Sequence, residues 1–363
     1  MNQRILIIGA GLGGLALYKA LDKNKFTVHL ADKRRELGSL GYGILFYPIG
    51  GYALRRLGFS SDFVQNLGKS YSQYYFRNED ATLRDIIDYS SVSQEFGDYK
   101  GVSRGDLYKP LFADINSDDL LLGNRVVGMS ESSNEVQVTF EDGTIRTYDF
   151  VIGADGAHST VRQSILPDSQ LEKLGATFMW TWVLKSELEA IPPRPTLYFG
   201  EKANLGVLDV NDPERVVAFC WFTEDALGRE ASHEEWNDYI KEHFSSFGGI
   251  VPSVLRSLYK QHDRFVHRDY QLKLPTWHKG RVGLIGDAAH ALSALTGLGS
   301  ALALEDGAFL AELFNKTDDL GSAFQHFENI QRPRTINVKL EDFATTEGSL
   351  SIMREIFSSS PLR

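Results

Sequence analysis

A single cysteine, Cys220, in 363 residues leaves no intramolecular disulfide and no cysteine-based metal site. That scarcity of thiols fits a reducing, cytoplasmic setting. Basic residues are outnumbered, 38 against 48 acidic, for a formal charge of −10. The balance argues against nucleic acid or an anionic membrane as the main partner. No apolar run approaches the roughly 18 residues that a membrane span needs, so no integral membrane segment is expected. Met1-Asn2-Gln3-Arg4 leads straight into a strand-like run, without the flanks or cleavage site of a signal peptide. Internal repeats, low-complexity segments and metal-ligand clusters are also missing, and no metal is expected.

Glycine is what the chain has: 33 residues, many of them in motifs. Ile5-Leu6-Ile7-Ile8 reads as a buried parallel strand. Gly9 to Gly14 interrupt it, Leu15 to Leu21 has helical character, and Phe26 to Ala31 reads as the next strand. Strand, helix, strand within about 30 residues is a βαβ unit. Residues 51–58 read as a helix stopped by Gly58, and Leu107 to Ile115 as another. From 70 to 100 the chain is polar and tyrosine-rich with weak periodicity. Val136 to Phe140 and Ile145 to Tyr148 flank an Asp142-Gly143 hairpin turn. Asp149 to Gly153 is a further buried strand.

Between about 170 and 275 strand-like stretches dominate, at 176–184, 196–199, 205–210 and 215–222. Trp180, Trp182, Tyr198, Phe199, Phe219 and Trp221 lie in them. Arg281 to Gly286 returns to the first texture. A helix follows from about 299 to 315, and the remainder reads as helices. A chain this long exceeds one ordinary core. It divides into a discontinuous domain (1–70, 96–170 and 276–325), an inserted sheet domain (71–95 and 171–275) and C-terminal helices (326–363).

Three motifs carry chemistry. Gly9-Ala10-Gly11-Leu12-Gly13-Gly14 is a GxGxxG between strand and helix. Gly9 permits the tight turn, Gly11 the approach of a diphosphate, and Gly14 close helix packing. The helix start supplies N–H groups and positive dipole to phosphates. Asp32, followed by Lys33, ends the second strand and can accept from ribose hydroxyls. The second motif is Gly153-Ala154-Asp155-Gly156, continuing to Arg162. The third is Gly286-Asp287-Ala288-Ala289-His290, followed by Thr296-Gly297-Leu298-Gly299-Ser300. Taken on physics alone, the first motif does not separate NAD from FAD. The other two could be merely capped strand-to-helix turns.

The three motifs, in this order and spacing, resemble the FAD-dependent class A monooxygenases of the para-hydroxybenzoate hydroxylase type, which include enzymes that inactivate tetracyclines. The resemblance spans nearly the whole chain. It implies an α/β fold: a Rossmann-type, GR2-like FAD-binding domain with an inserted, mainly antiparallel β-sheet substrate domain and C-terminal helices. It implies that Gly9, Gly11, Leu12, Gly13, Gly14, Asp32 and Lys33 hold the ADP half of FAD, with Val127 (or Val126) at the adenine edge. Asp155, Gly156, Gly286 and Asp287 would complete the cofactor site. Gly297, Leu298, Gly299 and Ser300 would face the flavin pyrimidine edge. Arg104, in Val102-Ser103-Arg104-Gly105-Asp106-Leu107, matches an arginine lying against the flavin. Gly43, in Gly41-Tyr42-Gly43, matches the loop over the flavin ring.

The implied activity is hydroxylation of an aromatic or polycyclic small molecule, with NADPH or NADH as transient reductant, O2 as co-substrate and a C4a-hydroperoxyflavin as oxidant. A related reductase or dehydrogenase without oxygen insertion, and a non-enzymatic flavin-bound sensor, are the alternatives. Trp180, Tyr198, Phe199, Phe219 and Trp221 are candidates for the substrate pocket, with sheet core as the competing role. No residue is assigned as a catalytic acid or base, and His158 and His290 are read as structural. One departure stands out: prolines usually precede the flavin-facing glycines, and here Ala294 and Leu295 stand instead.

Overall fold

The computed structural model describes residues 2–37, 41–223, 226–228, 230–261, 264–343 and 345–363. Its central feature is a six-stranded sheet built from segments far apart in the chain. In spatial order these are His278–Lys279, Val282–Leu284, Phe150–Gly153, Gln3–Ile8, Phe26–Asp32 and Leu120–Leu122. All neighbours are parallel except the first pair. The apolar runs at 5–8 and 150–153 are fully buried, as strands covered on both faces must be. The register pairs Ile8 with Gly153 and Ala31, and Gly153 with Leu284. All three glycine motifs therefore begin at the carboxyl ends of neighbouring parallel strands. Open α/β sheets bind ligands at that edge.

The helix Leu12–Ala20 follows the first motif, and Gly299–Lys316 follows the third. They pack on each other through residues with almost no side chain. A Cβ at Gly13 would lie 3.0 Å from the Ala303 carbonyl oxygen, and one at Gly307 2.4 Å from the Gly13 oxygen. Gly13 meets Ala303, while Gly307 meets Ala16 and Leu17. The contacts advance together, so the helices run in the same sense and their N-termini open at the same end.

A seven-stranded sheet forms the second layer. Its order is Phe265–Gln271, Glu172–Leu184, Arg215–Phe222, Ala203–Leu208, Thr196–Phe199, Gln73–Asn78 and Leu83–Asp88. Every neighbouring pair is antiparallel except Thr196–Phe199 with Gln73–Asn78. Its back carries the helices His233–Phe244 and Val251–Leu258 over a core of Met179, Val183, Leu205, Val207, Cys220 and Phe222. Burial there pushes the Cys220 thiol up to about 12, so it is inert.

The 70–100 stretch resolves into Lys69–Tyr71, the two outer strands of this sheet, the helix Ser90–Phe96 and the strand Tyr99–Ser103. Leu83–Asp88 is an edge strand with five of its six residues exposed, which explains its weak periodicity. The helix expected at 107–115 runs Arg104–Phe112 instead. Its polar first turn, Arg-Gly-Asp, hid its start. The helix expected at 51–58 begins at Pro48, a residue suited to a first turn.

The C-terminal helices Leu320–Ile336 and Thr346–Ser358 are tied to the Gly299–Lys316 helix by buried charge. Arg334 pairs with Glu305, which also accepts from Ser360 and Gln331. No helix among the described residues is long and apolar enough to cross a membrane.

Candidate cofactor and substrate site

The glycines of the first motif do three different jobs. Gly9 has φ +108°, a value L side chains rarely adopt, and its added Cβ would sit 2.3 Å from the Ala154 carbonyl oxygen. A Cβ at Gly14 would sit 1.9 Å from the Gly9 oxygen. These two residues lock strand, turn and helix together and seat the first motif on the second. Gly11 is different: the nearest atom to its added Cβ is 3.9 Å away. Space is left where a ligand approaches. The helix begins at Leu12 with no side-chain cap on Gly11, so the N–H groups of Leu12, Gly13 and Gly14 have no intrahelical acceptor.

Asp32 is buried at the end of the second strand. It accepts from the Ala10 N–H at 2.8 Å, the Arg34 N–H at 2.9 Å and the Arg34 guanidinium at 2.8 Å. Burial pushes the carboxyl up, but the hydrogen bonds from Arg34 and Ala10 outweigh it and hold it below the usual range. Arg34 also donates to the Ala10 carbonyl, to which the Tyr108 hydroxyl donates as well. Sequence reasoning missed both residues. An arginine two places beyond the strand-end aspartate was the available signal for Arg34; nothing local marks Tyr108. Lys33 is exposed. Val127 is 52% exposed, beside the buried Val126, and the preceding Gly123 N–H donates to the Asp32 and Arg34 carbonyls.

The second motif turns its carboxylate inward. Asp155 accepts from the Ser159 hydroxyl (2.5 Å) and the N–H groups of Thr160 (2.7 Å) and Val161 (3.3 Å). The latter are the first two N–H groups of the helix Thr160–Ile165, whose N-cap is Ser159. Gly156 has φ +81° and open space where a Cβ would stand. Arg162, buried, donates to the Ala157 and Ala288 carbonyls, joining the second motif to the third. His158 is exposed with its ring 5.5 Å from that of Tyr270.

In the third motif Gly286 has φ +59° and Asp287 is exposed at the start of a short helix. The Asp287 carboxylate lies 3.6 Å from the Cβ position of Gly299. His290 is buried with Nε2 2.6 Å from Asp306, which also accepts from the Gly286 N–H at 2.8 Å. The turn Ser293–Leu298 is tied at nearly every polar atom. Ser293 Oγ donates to Asp269 (2.5 Å), and Thr296 Oγ1 donates to the Ser293 carbonyl and accepts from the Leu298 N–H. Tyr47, unremarked in the sequence, donates to the Thr296 carbonyl at 2.8 Å and packs against Gly297, which has φ +65°. Gly299 and Ser300 then open the helix with no side-chain cap, so their N–H groups have no intrahelical acceptor.

Arg104 lies beneath Gly41, its Cδ 3.1 Å from the Cβ position of that glycine, and its N–H donates to the Tyr42 carbonyl. Its Nε is enclosed and has no acceptor. Burial pulls the guanidinium below the ordinary arginine value. An enclosed charged donor without a partner is costly in protein alone. Gly43 proves to be a packing glycine: its added Cβ would lie 2.5 Å from Val210 and 2.6 Å from Val217 of the large sheet.

That sheet presents an aromatic face to this loop. Its cross-strand rows read His267, Phe178, Trp221, Asn204, Phe199 and then Phe265, Trp180, Phe219, Gly206, Leu197. Phe178, Trp180, Trp221 and Phe219 have rings 5.3–6.1 Å apart and within 20° of parallel. The Phe219 ring lies over Gly206, where a Cβ would meet it at 2.2 Å. Tyr42 meets Trp182 at 6.1 Å and closes one end of the face on the Gly41–Gly43 loop. The structure separates Tyr198 from the other four candidates. Strand alternation turns it to the back, into the helix-covered core.

Free N–H groups at two helix starts, open space at Gly11 and the orphaned Arg104 Nε fit an extended dinucleotide carrying a diphosphate and a heterocycle with carbonyl edges. The comparisons agree. A family profile described as "FAD binding domain" matches residues 2–317. The chain belongs to that family, and it is an FAD-dependent monooxygenase of class A. It is 29% identical over 322 residues to 2-heptyl-3-hydroxy-4(1H)-quinolone synthase of Pseudomonas aeruginosa, covering 85% of this chain and 80% of that one. It is 27% identical to salicylate hydroxylase of Pseudomonas putida, covering 96% and 86%. In fold it is similar to Klebsiella pneumoniae HpxO complexed with FAD and uric acid (TM-score 0.85, 22% identity, 99% and 98% covered). It is similar too to the tetracycline destructase Tet(51) (TM-score 0.76, 22% identity, 100% and 99% covered).

Proposed function

We propose that the protein is a single-component monooxygenase that uses NADPH or NADH and O2 to hydroxylate a flat aromatic or polycyclic small molecule. The observation that carries this reading is the ladder of near-parallel rings, Phe178, Trp180, Trp221 and Phe219, on the sheet face that meets the Gly41–Gly43 loop. FAD, when bound, would supply the redox chemistry between the nicotinamide and O2.

The chain's own residues bind, orient and exclude water. The Leu12, Gly13 and Gly14 N–H groups receive the diphosphate. Asp32 receives a ribose hydroxyl in exchange for one of its Arg34 contacts, because four N–H groups already fill its lone pairs. The Gly299 and Ser300 N–H groups, with the helix dipole behind them, favour negative charge on the pyrimidine edge. Arg104 Nε donates into the same space. Trp180, Phe199, Phe219 and Trp221 supply a stacking surface and keep water away. Asn204 and His267 interrupt that surface with polar groups able to orient a ring substituent. His290 is enclosed, with its Nε2 committed to Asp306. The sheet divides from the cofactor domain in sequence at 71–95 and 171–275.

The names of the relatives, a quinolone synthase and a salicylate hydroxylase, support a ring substrate. The test is NAD(P)H oxidation by the FAD-loaded protein with phenols, salicylates and quinolones, with mass analysis of products. Stimulated oxidation with a product heavier by one oxygen atom is expected. Stimulated oxidation that yields only reduced or dehydrogenated product would overturn it in favour of a reductase, and flavin that neither nicotinamide reduces would point to a sensor.

A further inference from the structure

The turn ahead of the second cofactor helix, Ser293-Ala294-Leu295-Thr296, contains no residue that stiffens a backbone by itself. Its shape is imposed from the large sheet. Asp269, 2% exposed on the strand Phe265–Gln271, accepts the Ser293 hydroxyl at 2.5 Å and the Ala294 N–H at 2.9 Å. Ser293 Oγ in turn accepts from the Leu295 N–H. One residue past the strand, the Leu272 N–H donates to the Ala291 carbonyl at 2.8 Å. Asp269 thus holds the Ser293 side chain and the Ala294 N–H, while the Ser293 carbonyl accepts from Thr296, so the turn leading to the open N–H groups of Gly299 and Ser300 is set.

We infer that Asp269 is a positioning residue: its carboxylate clamps the Ser293–Ala294 backbone and so sets the turn against the flavin, the task a proline at 294 would perform covalently. The geometry makes the two devices interchangeable and mutually exclusive. Ser293 has φ −51° and ψ 137°, the extended conformation that a following proline demands, and Ala294 is the first residue of a short 3-10 turn, where proline fits. Proline lacks the N–H that Asp269 accepts here. The inference rests on the reading that this turn faces the flavin.

A double-mutant cycle of Asp269→Ala and Ala294→Pro tests it on the full-length protein, with two readouts. Hydrogen exchange of residues 295–298 reports the turn itself in the FAD-free protein; FAD affinity and the flavin reduction potential report its action on the cofactor. In Asp269→Ala exchange is expected to rise at least about tenfold and FAD to bind about tenfold more weakly, the loss of two hydrogen bonds to a charged acceptor. Adding Ala294→Pro to that background restores both, although by itself Ala294→Pro restores nothing in the wild type. Unchanged exchange in Asp269→Ala, or no rescue by proline, overturns the clamp. Raised exchange with unaltered FAD affinity and potential keeps the clamp and overturns the flavin-facing assignment of the turn. If Asp269→Ala does not fold, Asp269→Asn replaces it. Its amide can still accept from Ala294 but lacks the charge, so a smaller loss in the same direction with the same proline rescue is expected, and no loss overturns the inference.

Discussion

The two helix starts that open on the cofactor space are built by opposite means. At Leu12–Ala20 the turn before the helix is shaped by its own composition. Gly9 and Gly14 are required by φ +108° and by approaches of 2.3 and 1.9 Å, and any side chain would collide with backbone. At Gly299–Lys316 only Gly297, with φ +65°, is conformationally special. The rest of that turn is held from outside, by Asp269 on the large sheet and Tyr47 ahead of the Pro48–Arg56 helix. Glycine lets the first turn take up this shape, and packing on Ala154 then fixes it. A turn held by tertiary contacts has its shape only when two sheets and a helix are in place, so it can respond to what binds between them.

This contrast can be broken at either end. The largest effect is expected from Gly14→Ala, which drives a Cβ into the Gly9 carbonyl. It should cost about 3 kcal/mol or more of stability, read as a lowered thermal midpoint of the FAD-free protein. A midpoint within a degree of wild type would show that helix and strand are not in contact as described. Gly11→Ala sharpens the point, because its Cβ meets nothing closer than 3.9 Å. The FAD-free protein should keep its midpoint while FAD binds about a hundredfold more weakly, about 2.7 kcal/mol. Equal losses in stability and affinity would remove the distinction between packing and approach glycines.

Tyr47→Phe probes the second turn. Leaving the Thr296 carbonyl without its donor should cost about 1 kcal/mol, and it should shift the flavin potential more than Gly11→Ala does once both are saturated with FAD. A potential identical to wild type would detach Tyr47 from the flavin turn.

The smallest effect is in pH. Burial opposes charge on His290, but Asp306 against Nε2 outweighs it, and the histidine titrates above its ordinary value. A group whose folded pKa is raised stabilises the fold fully below its unfolded value, about 6.5. That contribution is lost as pH rises through the folded value. Calorimetry from about pH 6 upward should show declining stability, and His290→Gln should flatten the decline. The same slope in wild type and variant would assign the pH dependence elsewhere.

Much of the site could be read before the structure, for a physical reason. Gly9, Gly11, Gly14, Asp32, Gly286 and Asp287 belong to contiguous strand–turn–helix units whose geometry is local. Arg104 was legible by resemblance, and its stranded Nε then gave it a physical role. Of the two roles open to Tyr198, pocket wall and sheet core, the structure gives it the core, because a strand's alternation does not say which face the helices cover. The bonds of Asp155 to the Thr160 and Val161 N–H groups were not legible, because a strand-end carboxylate can turn to the start of its own helix as readily as to a ligand. Tyr47, Tyr108 and Asp269 escaped notice because their partners lie elsewhere in the chain: 249 residues away for Tyr47 to Thr296, 98 for Tyr108 to Ala10 and 25 for Asp269 to Ala294.

By itself the sequence determined that three glycine motifs follow strand-like runs and that the first has the spacing of a dinucleotide turn, because strand, turn and helix are contiguous in the chain. Only the tertiary structure decided that the three motifs share one sheet edge, that four of the five aromatic candidates share one face of the larger sheet, and that a buried aspartate bonds the turn for which the local sequence supplies no stiffness. Register, facing and long-range hydrogen bonds are properties of packed elements, and no window of the chain contains them.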